Sequence, residues 1–135
     1  MVRTVLAVIV GFFAWAILWF GIETILSAIW PDWFGAHQLA FQAAIEHGGA
    51  FTPDTTILLM HIALASIVSV TSGFLSAVIA GENKRVPLVL GFLLLAVGIL
   101  KVRMSWAYAP VWYHVIFTAI LLPLTIIGGR LKATA

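Results

Sequence analysis

The chain has no cysteine among its 135 residues, and charged residues make up only 9% of it. The absence of cysteine excludes disulfides, thiolate metal sites, iron–sulfur clusters and cysteine catalysis. The sequence also lacks the glycine-rich phosphate-binding motifs, the Gly-x-Ser-x-Gly nucleophile motif and the His-Glu-x-x-His zinc motif. We therefore expect a protein that is not an enzyme and that has no resident metal or cofactor.

Long apolar runs are what the sequence has in abundance, with 63% hydrophobic residues and a mean hydropathy of +1.14. A membrane-spanning helix needs about 20 mainly apolar residues. Four stretches meet that length, namely residues 4–30, 56–80, 86–108 and 111–129. The turns on both sides of the third stretch are short, which favours antiparallel neighbours. The sequence predicts one all-α domain over residues 1–135, an integral membrane four-helix bundle of mostly antiparallel, up-down topology.

The basic residues predict the orientation of this bundle. Five of the seven fall at one end, and they are Arg3, Lys84, Arg85, Arg130 and Lys132. By the positive-inside rule this end is cytoplasmic, and so are both termini. We therefore interpret the basic residues behind the formal charge of +2 as signals of orientation in a membrane. We expect membrane lipid as the surroundings of the chain and no nucleic acid as a partner.

The longest polar segment separates the first two spans, on the predicted outer side. Its alanine content favours a short helix near Ala36–His47, and the pair Gly48-Gly49 is expected to end that helix. Two interpretations stay open for this helix. It lies flat in the outer interface, or it covers a site between the spans as a lid.

Small residues recur at every fourth position along the second span. They are Ala65, Ser69, Gly73, Ala77 and Gly81. In lipid, such a face lets two helix backbones approach closely. The pattern predicts a helix-packing face but leaves open whether the contact lies within the bundle or joins another subunit. In the second case, Gly73→Leu should release the partner without unfolding the chain.

Ionisable residues gather near the predicted outer ends of the spans. They are Glu23, His61, Lys101, Arg103 and His114. Charges within a membrane are costly and usually paired, so this cluster is a candidate ligand-binding site or a purely structural network. Lys101 and Arg103 lie about 200° apart around a helix. We expect Lys101 to face the interior and pair with Glu23, and Arg103 to reach the lipid headgroups.

His61 and His114 suggest a further alternative. Two histidines at similar depth on parallel helices are typical of a bis-imidazole haem b site, which would make the protein a redox subunit. Haem b is therefore the alternative to our expectation of no cofactor.

The chain resembles small bacterial inner-membrane proteins with four spans for which no activity is established. The resemblance lies in residues 3–8, in residues 77–81 with the basic turn that follows, and in residues 109–114 with the Gly-Gly-Arg end of the last span. It implies a four-span fold in a bacterial plasma membrane and carries no catalytic residues.

Three functions follow from these observations. The first is a small accessory or scaffolding subunit that packs against a larger respiratory, photosynthetic or transport complex, because the small-residue face offers a packing surface. The second is a homo-oligomeric transporter or ligand-binding membrane protein that uses the outer polar cluster. The third is the haem b redox subunit.

Overall fold

A computed structural model describes residues 2–48, 51, 53–82 and 84–132, with Ala107 described by its backbone alone. The described residues form five α-helices. They are α1 (Val2–Ile29), α2 (Ala36–His47), α3 (Thr55–Ala80), α4 (Arg85–Ser105) and α5 (Val111–Arg130). A π-helical turn, Pro31–Gly35, connects α1 to α2, and a 3-10 turn, Trp106–Tyr108, leads from α4 towards α5. The predicted all-α fold is confirmed.

Four of these helices, α1, α3, α4 and α5, are long and apolar enough to cross a membrane. They run up and down, so that α2 and the α4–α5 connection share one end of the bundle, here called the α2 end. The start of α1, the end of α3, the start of α4 and the end of α5 share the other, here called the terminal end. The α4 helix stops at Ser105, earlier than predicted, because Ala109 is extended before Pro110 and the chain tightens into the 3-10 turn.

The short helix predicted in the long polar segment is α2, with the expected bounds Ala36–His47. Gly48 ends it with a φ of 74°, a backbone conformation that glycine adopts without strain. Gly49, the second residue of the predicted stop signal, lies outside the described residues.

Side chains cap the helices where the chain reverses. Asp54 precedes α3 and accepts hydrogen bonds from the backbone of Thr56 and Ile57. Glu82 precedes α4, and its carboxylate accepts from three backbone N–H groups, the shortest from Val86 at 2.6 Å. Burial by itself raises the pKa of Glu82, but these hydrogen bonds outweigh it, so the pKa lies below its usual value.

The small-residue face of α3 is an internal contact. Ala65, Ser69, Gly73 and Ala77 are buried within the bundle, while Gly81 is exposed at the terminal end. A Cβ atom on Gly73 would collide with the backbone carbonyl of Thr125 in α5. Gly128 in α5 meets the backbone of α3 just as closely. The two helices therefore touch backbone to backbone, and Gly73→Leu is expected to break this contact rather than release a partner.

The first helix lies at the rim of the bundle and packs mainly on α3, with a smaller contact on α4. Two hydrogen bonds tie α1 to α3. The Arg3 Nε donates to the carbonyl of Ile79 at 2.7 Å, and the indole of Trp15 donates to the hydroxyl of Ser69 at 3.1 Å. The limited contact with α4 leaves space between these two helices towards the α2 end.

Candidate functional site

A cavity of about 830 Å³ occupies the α2 half of the bundle. Residues of all four long helices line it, and α2 lies over its top. The volume falls in the range of about 300–1,000 Å³ that is usual for small-molecule sites. The deep part of the cavity is apolar and is lined by Phe12, Trp15, Leu94 and Leu121.

The cavity reaches the side of the bundle between α1 and α4. Phe20 of α1 and Met104 of α4 both line it, yet they are 65% and 61% exposed. A side chain that lines the cavity and is also exposed on the outside of the bundle lies at an opening of the cavity. This surface belongs to two helices that are long and apolar enough to cross a membrane, so in a bilayer that they span the opening faces its apolar part.

Lys101 lies in a cage of aromatic rings. Its Nζ atom is 3.9 Å from the ring centre of Phe117, 5.2 Å from that of Trp19 and 5.7 Å from that of Tyr113. The ammonium also donates to the Tyr113 hydroxyl, at a long 3.5 Å. Ring faces attract a cation at these distances, which offsets part of the cost of taking the ammonium out of water.

Glu23 and His61 lie next to each other in the wall of the cavity. The Glu23 Oε2 accepts a hydrogen bond from Gln38 of α2 at 2.9 Å, and its Oε1 lies 3.8 Å from the Nε2 of His61. That separation is too long for a hydrogen bond. His61 is only 7% exposed, and its Nε2 has no hydrogen-bond partner among the described residues.

The predicted pair of Glu23 and Lys101 shares this cavity, but the described chain shows no ion pair within 4 Å between the two side chains. Glu23 is held by Gln38, and Lys101 is held by the rings, so their charges act on each other across a gap. Arg103 is exposed on the opposite side of α4, as its position relative to Lys101 predicts.

His114 is buried but does not line the cavity. Its ring stacks on that of Trp106 at 5.3 Å, and its Nε2 lies 3.3 Å from the Trp106 carbonyl. His61 instead contacts the rings of Trp19 and Phe34. The haem hypothesis thus needs two imidazoles that the structure places in different surroundings, and it stays a prediction. The described residues contain no group of three or more His, Cys, Asp or Glu suited to a metal ion.

Among the described residues, several contacts hold the α2 helix over the cavity, including one on α1, one on the 3-10 turn and one on the residue before α3. Gln38 reaches Glu23 of α1, and Phe41 contacts Tyr108 at 6.4 Å between ring centres. At the third of these contacts, which we call the latch, Trp33 donates to Asp54 Oδ2 at 2.9 Å and the backbone of Asp54 donates to His37 Nε2 at 3.2 Å.

The electrostatics of the latch depend on Asp54. The hydrogen bond from Trp33, followed by those from the backbone of Ile57 and Thr56, holds the pKa of Asp54 below its usual range. The carboxylate form therefore prevails at neutral pH and joins the π-helical turn to the start of α3.

Sequence reasoning missed the aromatic cage and the contact of Gln38 with Glu23. A signal for part of it is present, because Trp15, Trp19 and Glu23 follow one another at four-residue intervals and so lie on one face of α1. The rings of Trp15 and Trp19 stack at 5.3 Å along this face. Nothing in the sequence indicates that Phe117 and Tyr113 of α5 meet the same lysine.

Comparison with known proteins gives no relative: no family model, no curated protein and no solved structure matches this chain.

Proposed function

We propose that this membrane protein binds a lipid-soluble small molecule in the cavity beneath α2. The observation that carries the proposal is an apolar cavity of about 830 Å³ in which Glu23, His61 and Lys101 converge. Ligand sites generally combine apolar walls with a few polar groups that fix orientation. The opening between α1 and α4 supplies a path from the lipid.

This proposal accounts for the polar residues better than a scaffolding role does. The small-residue face that motivated an accessory subunit packs within the same chain, with Gly73 against α5 and Ser69 bonded to Trp15 of α1. The exposed apolar side chains of α1, such as Phe13 and Ile17, are what lipid contact requires of a spanning helix. Neither feature requires a partner subunit. In contrast, a ligand would give a role to the half-buried Lys101 and a partner to the His61 nitrogen, which has none among the described residues.

Filling the cavity tests the proposal. Ala16 of α1 lines the cavity, so Ala16→Phe introduces a ring into the space that the ligand would occupy. We expect the wild-type protein, purified from its own membrane in mild detergent, to carry a bound apolar molecule that solvent extraction and mass spectrometry detect. The Ala16→Phe variant should lose most of that molecule, since overfilled sites cannot accept the same volume.

Ala28→Phe is the matched control, because Ala28 lies on the same helix but is exposed and does not line the cavity. It should keep the bound molecule in wild-type amount. Equal amounts of the molecule in all three proteins would place its binding elsewhere and contradict the proposal. A wild-type protein that neither carries nor takes up any apolar molecule would contradict it as well.

A further inference from the structure

We infer that the ligand has an uncharged hydroxyl head, either an alcohol or a phenol, on an apolar body. The inference rests on the proposed function and specifies which class of lipid-soluble molecule the cavity selects. Three observations carry it: the charge balance of the cavity, the gap between Glu23 and His61, and the apolar depth below them.

The first observation is that the cavity already balances its own charge. Of the described residues that line it beneath α2, Glu23 supplies the carboxylate and Lys101 the ammonium, while Glu46 lies exposed at the mouth. The pair has no net charge, whether both groups are ionised or a proton has passed between them. A charged head would add an uncompensated charge to a low-dielectric site, which is expensive. An uncharged head avoids that cost.

The second observation is the 3.8 Å gap between Glu23 Oε1 and His61 Nε2. An oxygen atom placed beside the gap can lie about 2.8 Å from both atoms. With the imidazole in its Nε2–H tautomer, a ligand hydroxyl accepts from His61 and donates to Glu23. This arrangement satisfies the buried His61 nitrogen, which the described residues leave without a partner. A carboxylate head cannot do this, because it has no proton to give to Glu23.

The third observation concerns the rest of the ligand. Below Glu23 the cavity is lined by Trp15, Phe12 and Leu94, which offer apolar surface and flat rings. A hydrocarbon chain or a ring fits these walls, and a strongly hydrated body does not. The hydroxyl therefore marks the polar end of an otherwise apolar molecule.

A series of probes with one tail and different heads tests the inference. The protein in nanodiscs is exposed to dodecanol, dodecanoate, dodecylamine or dodecane at equal concentration, and native mass spectrometry measures the bound fraction. We expect dodecanol to bind at least about tenfold more strongly than the other three, because only its head completes the Glu23–His61 gap without adding charge. Including 4-dodecylphenol shows whether an aliphatic or an aromatic hydroxyl is preferred, and either preference supports the inference.

The outcomes separate this inference from the proposed function. If dodecane binds as well as dodecanol, or if dodecanoate or dodecylamine binds best, the hydroxyl head is wrong although the cavity still binds apolar molecules. If no probe binds and Ala16→Phe removes no molecule from the native protein, the proposed function fails together with the inference.

Changing the charge of the cavity gives a second test. It measures which head group is preferred, and a general loss of folding would not change that preference. Glu23→Gln leaves Lys101 without its balancing carboxylate, so the variant should shift its preference about tenfold towards dodecanoate. Lys101→Met leaves Glu23 alone and should shift the preference towards dodecylamine. A purely structural role for the two residues would weaken all heads equally, and that result would overturn the inference.

Discussion

At the scale of single residues, the site is organised by contacts that differ from simple charge pairing. Lys101 is held by three ring faces and one hydroxyl, and Glu23 by an amide of α2. A desolvated cation–π contact contributes about 2 kcal/mol, comparable to an ordinary hydrogen bond to a charged group. Glu23 and Lys101 are thus each fixed by neighbouring groups and not by each other. A ligand can therefore enter the space between them without breaking an ion pair.

The latch at Asp54 gives a prediction at this scale. Asp54→Ala removes the acceptor of the Trp33 indole and the cap of α3 together. We expect α2 to become looser, and hydrogen–deuterium exchange of residues 36–47 should rise. Asp32→Ala is the control, since Asp32 is an exposed carboxylate close by in the π-helical turn. Equal exchange in the Asp54 variant and the wild type would show that the latch does not hold α2.

The same latch should depend on pH. Because the pKa of Asp54 is lowered in the folded protein, its contribution to stability is present above the pKa of the unfolded chain and is lost as the pH falls through the lower, folded value. Acidification below the ordinary carboxyl range should therefore loosen α2 in the wild type. In the Asp54→Ala protein, which lacks this carboxylate, the same acidification should cause no such loosening of α2.

At the scale of helices, the contact of α3 with α5 is the most extensive between any two described helices. Gly73 and Gly128 each lie against the other helix's backbone, and Gly129 lies against Pro87 of α4. Small residues on these faces replace the interdigitated large side chains of a soluble core. Without a hydrophobic driving force between helices in lipid, close backbone packing supplies much of the association energy.

Gly73→Leu tests this contact. The new side chain would occupy space taken by the Thr125 carbonyl, so the helices must separate. We expect a loss of stability at or beyond the upper end of the about 1–3 kcal/mol typical of overpacking, seen as a lower melting temperature in detergent. Gly21→Leu, on α1, is the matched control, because a Cβ there meets no atom of another described element within 4 Å. Similar melting temperatures for both variants would contradict close α3–α5 packing.

At the scale of the whole molecule, the bundle has two unlike ends. The terminal end carries five of the seven basic residues, and the α2 end carries the cavity and most of the acids. If the basic end is cytoplasmic, the cavity lies in the outer half of the membrane.

The absence of cysteine makes the orientation simple to measure. We expect His47→Cys, on α2, to react with a membrane-impermeant maleimide applied to whole cells. Lys84→Cys, exposed in the α3–α4 turn, should react only after the membrane is opened. The parent chain has no thiol and serves as the blank. The reverse pattern would place the cavity on the cytoplasmic side.

How far the sequence leads can be judged from particular residues. The end of α2 follows from Gly48, and the opposite placements of Lys101 and Arg103 follow from the helical repeat. The cage could not be predicted, because the core and lipid faces of a spanning helix are equally apolar and nothing marks which side of α5 presents Phe117. For the same reason, the sequence could not show whether Glu23 and Lys101 lie close enough to form an ion pair.

The position of α5 has a consequence for how the protein is made. It packs on α3 and on α4 more extensively than those two helices pack on each other. Among the four long helices α5 follows the other three in the chain, so until it is inserted the glycine face of α3 lacks its α5 contact and the cavity lacks its deep wall at Leu121. The other three helices have contacts of their own, most of them between α1 and α3, and α5 completes both the bundle and the wall of the cavity.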